Sequence, residues 1–387
     1  MQLPYSEELN IGYLSRLFDN TTNCYKFFWF LAILRKLDGE TNRFSFDELI
    51  NEMVADAWYM VTEYHLRLGP LGITDNLEET VKYIHAECGF PSSEKREKLI
   101  EFLLSTDDKN IRKYKSDLTL NVPYRLQVPF YDEIVIERNM WNGSKKNLTD
   151  VINRQRRLMY YFSSISGLST VIEIDALWAE YLFKHKDILK GWTQLKLIQY
   201  LQNKNPSVPG IADKIEAPVA RDIERVRKYW KLIIQVDPSI RDIYGDVLLN
   251  DVTISVDHFV PWQYVAHDEL WNLHPTTRSI NSSKSNSLPS WKKYFEPLGE
   301  LEYRAYRMQS EYALIAQEFN KIAPYHLNNQ EIRNKLYADG LDRNSFIGRL
   351  EHVIKPVYES AQILGFKEWV YGEPEVPEKQ ATAKVTS

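Results

Sequence analysis

Apolar residues recur at helical spacing through most of the chain. In "FSFDELINEMVADAWYMVTEYHLRLGP", Phe46, Leu49, Ile50, Met53, Val54, Trp58 and Val61 share one helical face, Ser45 and Glu48 have the spacing of a capping box, and Gly69-Pro70 closes the segment. The run Phe27 to Leu34 is apolar throughout and predicts a buried helix. "STVIEIDALWAEYLFKHKDILKGWTQLKLIQYLQ" reads as two helices with Gly191 near their junction. Between these groups, "SDLTLNVPYRLQVPFYDEIVIE" carries β-type residues broken by Pro123 and Pro129 and predicts extended structure. "NKNPSVPGIADKIEAP" then interrupts the pattern with Pro206, Pro209, Gly210 and Pro218, the signature of a boundary.

Beyond the break, "VARDIERVRKYWKLIIQV" sets Ile223, Val226, Trp230 and Ile233 on one face and Arg221, Arg225, Arg227, Lys228 and Lys231 elsewhere, a basic amphipathic helix. "GELEYRAYRMQSEYALIAQEFNKIA" and "RNSFIGRLEHVIKPVYESAQILG" are helical, the latter expected to bend or break near Pro356. The expected class is mainly α: a helical recognition or regulatory region over 1–205, a small module with its leading basic helix over 216–300, a helical extension over 301–370, and a disordered tail over 371–387.

Composition narrows the classes. Of 387 residues, 44% are apolar and 26% charged, as in an ordinary globular protein. No run approaches the roughly 20 apolar residues of a membrane span, and the opening MQLPYSEELN lacks the order of a signal peptide, so the expected location is the cytoplasm. The net charge of −5 gives no general attraction to nucleic acid, and binding to phosphates must come from local basic patches. "SKKNLTDVINRQRR" and the Arg221 to Lys231 helix fit that role, and fit equally well as solvated charged faces. The two cysteines, Cys24 and Cys88, form no paired-cysteine metal spacing, so no structural zinc is expected.

The chemistry concentrates in "SVDHFVPWQYVAHDELWNLHPTTRSINSSKSNSLPSW", residues 255–291. Metal-assisted cleavage of a phosphodiester needs a hard cation on oxygen ligands, a base for the attacking water and a positive group near the phosphate. Asp257 supplies a carboxylate oxygen and Asn281 an amide oxygen, His258 is the natural base, and Lys284 follows Asn281 by one helical turn. Adjacent strand residues point to opposite faces, so Asp257 and His258 converge only if the strand ends or bends there, as the nearby Pro261 suggests. Asn272 has a different task, tying the intervening loop to backbone groups. Trp262, Trp271 and Phe259 are expected in the core. A second metal site at His267, Asp268 and Glu269 competes with a solvated helix end.

These residues resemble the HNH endonuclease superfamily, whose ββα-metal site has an Asp-His pair, a middle Asn and a final Asn or His on a short helix. The likeness extends to the HNH domain of RNA-guided CRISPR effectors in "VDH", the following proline, "TRS", Asn-x-x-Lys-Ser and a trailing "PS". The resemblance implies His258 as general base, Asp257 and Asn281 as ligands of Mg²⁺ or Mn²⁺, Asn272 as the loop-holding residue, and DNA as substrate, with RNA an open alternative. Two features depart from the pattern. "IRDIYGDVLLNDVTI" has no cysteine, so Ile243, Tyr244, Val247 and Leu248 are expected to hold that hairpin by packing; and Ser279-Ile280 stands where the CRISPR domain has a further acid. The flanking helical regions resemble stand-alone HNH proteins of bacterial anti-phage and restriction systems. A bare module needs only about 40 to 60 residues, so the much longer helical region is expected to restrain or direct the nuclease, by docking a partner protein or recognising a particular nucleic-acid structure. The other open reading is a degenerate HNH fold that binds or scaffolds without cutting.

Overall fold

A computed structural model of the chain describes residues 2–131, 136, 138–155, 157–216 and 223–373. The chain is mainly helical with a few short strands, and it divides into two compact units, Met1–Pro218 and Val219–Ser387. Among the described residues no helix is long and apolar enough to cross a membrane.

In the first unit, helices Tyr25–Lys36 and Phe46–Thr62 pack together and form the centre of the core. Phe27 to Leu34 are all buried, which is why that helix is apolar on every side. Ser45 and Glu48 make the reciprocal capping box read from their spacing. A three-stranded antiparallel sheet lies beside them, with Val171–Ile174 between Arg43–Ser45 and Tyr160–Ser164.

Two expectations are corrected here. The described part of the Ser116 to Glu137 stretch is helical, with the Lys109–Leu118 helix ending in it, followed by turns of helix at Val122–Arg125 and Val128–Phe130. Pro123 and Pro129 sit in the first turns of these short helices, where a missing N–H removes no hydrogen bond, so they start helices instead of interrupting strands. The stretch read as two helices opens with strand Val171–Ile174, and the junction between its helices Ala176–Lys184 and Lys186–Lys204 is His185; Gly191 lies inside the second helix with open space where a side chain would project. A surface glycine costs such a long helix only about 1 kcal/mol, which packing offsets.

The second unit is built around one buried cluster that runs from the Glu224–Val236 helix through the strands to the C-terminal helices. Val226, Tyr229, Trp230, Ile233 and Ile234 are the buried face of that helix, and the Trp230 indole N–H donates to the Leu273 carbonyl at 3.1 Å. Arg225 and Lys228 are exposed, while Arg227 pairs with Glu224 at 2.6 Å. Arg221 and residues 374–387, which include most of the tail expected to be disordered, lie outside the described residues. Helices Trp291–Glu311 and Arg343–Ile363 pack closely: a Cβ on Gly299 would stand 3.0 Å from the Ile347 side chain. The second of them runs unbroken through Pro356. A short parallel pairing of Leu288–Pro289 with Glu368–Trp369 joins the end of the strand-bearing segment to the far end of the unit.

Candidate active site

Strand Ile254–His258 pairs antiparallel with strand Leu273–Thr277, setting Asp257 opposite His274 and His258 opposite Leu273. Helix Arg278–Lys284 follows directly, started by the Thr277 hydroxyl, which accepts from the Ile280 N–H at 3.2 Å. The first strand ends at His258. Asn272 explains the ending. The Phe259 N–H still donates to the Asn272 carbonyl at 2.9 Å; beyond it the Asn272 side chain supplies both halves of the next rung, accepting from the Val260 N–H and donating to the Val260 carbonyl, each at 2.8 Å. Asn272 and Val260 are fully buried, so no water replaces those bonds. Asn272→Ala should therefore cost about 2–4 kcal/mol, the penalty of two orphaned backbone groups. Amide exchange at Val260 measures it, and an unchanged rate would show that the rung stands without Asn272.

Asp257 is buried and has two hydrogen-bonding partners. Its carboxylate accepts from the Tyr244 hydroxyl at 2.8 Å and from the Lys284 ammonium at 3.1 and 3.2 Å. Lys284 also donates to the His258 carbonyl at 2.7 Å, so one buried cation ties the acid to the end of the strand. Burial pulls the Lys284 ammonium below its ordinary range, and the Asp257 charge opposes that pull. Burial, reinforced by Asp257, pushes the Tyr244 phenol up and keeps it a proton donor. Lys284 was expected near a substrate phosphate; here it holds the carboxylate and the strand end.

Asn281 donates from its side-chain nitrogen to the Ser255 hydroxyl at 2.9 Å and the Val256 carbonyl at 3.1 Å. With the nitrogen committed, the amide oxygen is the end left to accept. His274 stands 3.7 Å from Asp257, fully buried, and burial pushes its imidazole down to about 4, so it is neutral near pH 7. His258 Nε2 lies 2.8 Å from Asp268 Oδ1.

His267, Asp268 and Glu269 do not converge. His267 packs against Trp271, Asp268 meets His258, and Glu269 accepts from the Asn328 backbone and side chain at 2.8 to 3.2 Å. Among the described residues no three His, Cys, Asp or Glu side chains group to hold a metal. The upstream hairpin also differs from expectation. Ile243 and Tyr244 are buried, but Val247 and Leu248 are exposed, and Ile240 and Leu249 take their places in the core. Asp242 completes the hold: its carboxylate caps the Tyr244 and Gly245 N–H groups at 2.8 and 2.6 Å and accepts from the Thr276 hydroxyl on the second strand. Phe259 and Trp271 are core residues as expected, and Trp262 is half-buried.

Two partners escaped the sequence reading in these roles, Tyr244 on Asp257 and Asp268 on His258. Their separations of 13 and 10 residues carry no helical or strand period, so only the folded loops bring them in.

Residues 240–290 match the family described as HNH endonuclease, and the match encloses Asp257, His258, Asn272, Asn281 and Lys284. This segment is therefore similar to the HNH endonucleases, with two strands and a helix in the order that the site requires. No curated protein and no solved structure matched the chain.

Proposed function

We propose that the second unit carries a metal-dependent endonuclease that hydrolyses DNA phosphodiester bonds. The observation that supports it best is the placement of the candidate groups on adjoining elements: Asp257 and His258 are the last two residues of their strand, and Asn281, on the following helix, donates its amide nitrogen to Ser255 and Val256 of that strand, which leaves its oxygen as the accepting end. Asp257 and Asn281 fit a hard divalent ion such as Mg²⁺ or Mn²⁺ in kind, since both offer oxygen. Such an ion, when bound, stabilises charge on the phosphate and makes water a better nucleophile.

The chain's own groups do the rest. His258 takes the proton of the attacking water. An ionised carboxylate only accepts hydrogen bonds, so Asp268 puts the ring proton on Nε2 and leaves the basic lone pair on Nδ1. Tyr244 and Lys284 hold Asp257 in one rotamer, and Asn272 fixes the strand end that presents both residues. RNA is the competing substrate, since none of these groups reads the sugar. A place in anti-phage defence rests on the resemblance of the whole arrangement to stand-alone HNH proteins.

The test is incubation of the purified chain with supercoiled plasmid and Mg²⁺ or Mn²⁺. Conversion to nicked or linear DNA supports the reading; intact plasmid beside cleaved RNA moves the substrate; neither product leaves a scaffold. Asp257→Ala and Asn281→Ala should each weaken Mn²⁺ binding at least about tenfold, since even outer-shell partners of a metal typically cost that much. Calorimetric titration giving wild-type affinity in both would remove them from the ligand set.

A further inference from the structure

The loop between the two strands brings an acid to the base and is itself held from outside the matched segment. Asp268 Oδ1 stands 2.8 Å from His258 Nε2, and the His258 side chain is only 7% exposed while that of Asp268 is 23% exposed. A carboxylate on one ring nitrogen selects the tautomer, fixes the ring plane and stabilises the imidazolium that forms when the other nitrogen takes a proton. The neighbouring backbone is clamped as well. His326, the last residue of helix Ala313–His326, meets the Asp268 carbonyl through Nδ1 at 2.7 Å, and Asn328 donates twice to the Glu269 carboxylate, from its backbone at 3.0 Å and its side chain at 2.8 Å. A carbonyl only accepts, so His326 is the donor and its Nδ1 carries the proton.

We propose that Asp268 is the positioning acid for His258, and that the helical segment after the module, through His326 and Asn328, holds it in place. This rests on the reading of His258 as general base. It adds that the base is a His–Asp pair, and that the residues needed for full rate extend beyond 240–290 to at least 328.

The experiment uses the full chain, supercoiled plasmid and Mn²⁺. His258→Ala is measured first; cleavage at the wild-type rate there fails the base assignment itself, separately from anything concerning Asp268. With that arm passed, Asp268→Asn should lower kcat about 10- to 100-fold, the usual cost of an orienting partner, with KM and calorimetric Mn²⁺ affinity unchanged. Asp268→Glu should recover part of the loss. The imidazole nitrogen spectrum of ¹⁵N-histidine protein, with the His258 signals assigned by their loss in His258→Ala, should show the Nε2–H form in the wild type and a tautomer mixture in Asp268→Asn. His326→Phe should give the same spectral change in smaller measure. Wild-type kcat in Asp268→Asn, or a fall in kcat with an unaltered His258 signature, overturns the positioning role. An unaltered signature in His326→Phe overturns the part assigned to the helical segment.

Discussion

Replacing His258 with alanine should reduce DNA cleavage by about 10²- to 10⁴-fold, the usual contribution of a positioned general base, in a protein that still folds. Survival of the fold follows from the contacts that remain. The His258 backbone carbonyl still accepts from Lys284, Asn272 still closes the rung at Val260, and Asp268 is exposed enough to take up water where the imidazole was. Plasmid nicking rates in Mn²⁺, read alongside the thermal unfolding profile, decide the matter. Undiminished cleavage by a folded His258→Ala protein would remove the residue from the chemistry.

Lys284→Met should act mainly through stability. Lys284 is 1% exposed and meets a carboxylate that is 5% exposed, so removing it leaves Asp257 charged and buried, with the Tyr244 hydroxyl and the His274 ring beside it. Breaking a buried pair by deleting one partner typically costs about 3–5 kcal/mol, most of it the penalty on the charge left behind. Amide exchange in peptides covering 254–284 should accelerate by roughly 10²- to 5 × 10³-fold, the same energy expressed as a rate. Asp257→Asn in the same chain should restore much of the protection by neutralising the orphan, although it removes the carboxylate from the site. If the single variant exchanges like the wild type, the pair is incidental to stability.

The helices were legible where burial and capping act locally, as in the Phe46–Thr62 helix with its Ser45–Glu48 box and the all-buried Phe27 to Leu34 stretch. Strand order in the first unit was not, because Arg43–Ser45 meets Val171–Ile174 across more than 100 residues and all three strands are short enough to carry almost no period of their own. Pro123 and Pro129 misled for a related reason: proline marks the start of a helix as readily as the end of a strand. In the site, Asn272 behaves as its spacing suggested, since a short amide in a turn has few backbone groups in reach. Lys284 does not, because one helical turn from Asn281 fixes its face but not whether that face meets solvent or a buried acid.

The parallel pairing of Leu288–Pro289 with Glu368–Trp369 has a consequence for the order of events during synthesis. Its two halves lie roughly 80 residues apart, and the loop that bears Asp268 waits for His326 and Asn328. A growing chain that has delivered Asp257, His258 and Asn281 therefore still lacks the segments that clamp them, and closing so long a loop is slow compared with forming a local helix. Translation that halts shortly after residue 300 would release a chain with every candidate catalytic residue present and the clamps missing. The candidate site is then complete only after the segment that reaches Trp369 has been made.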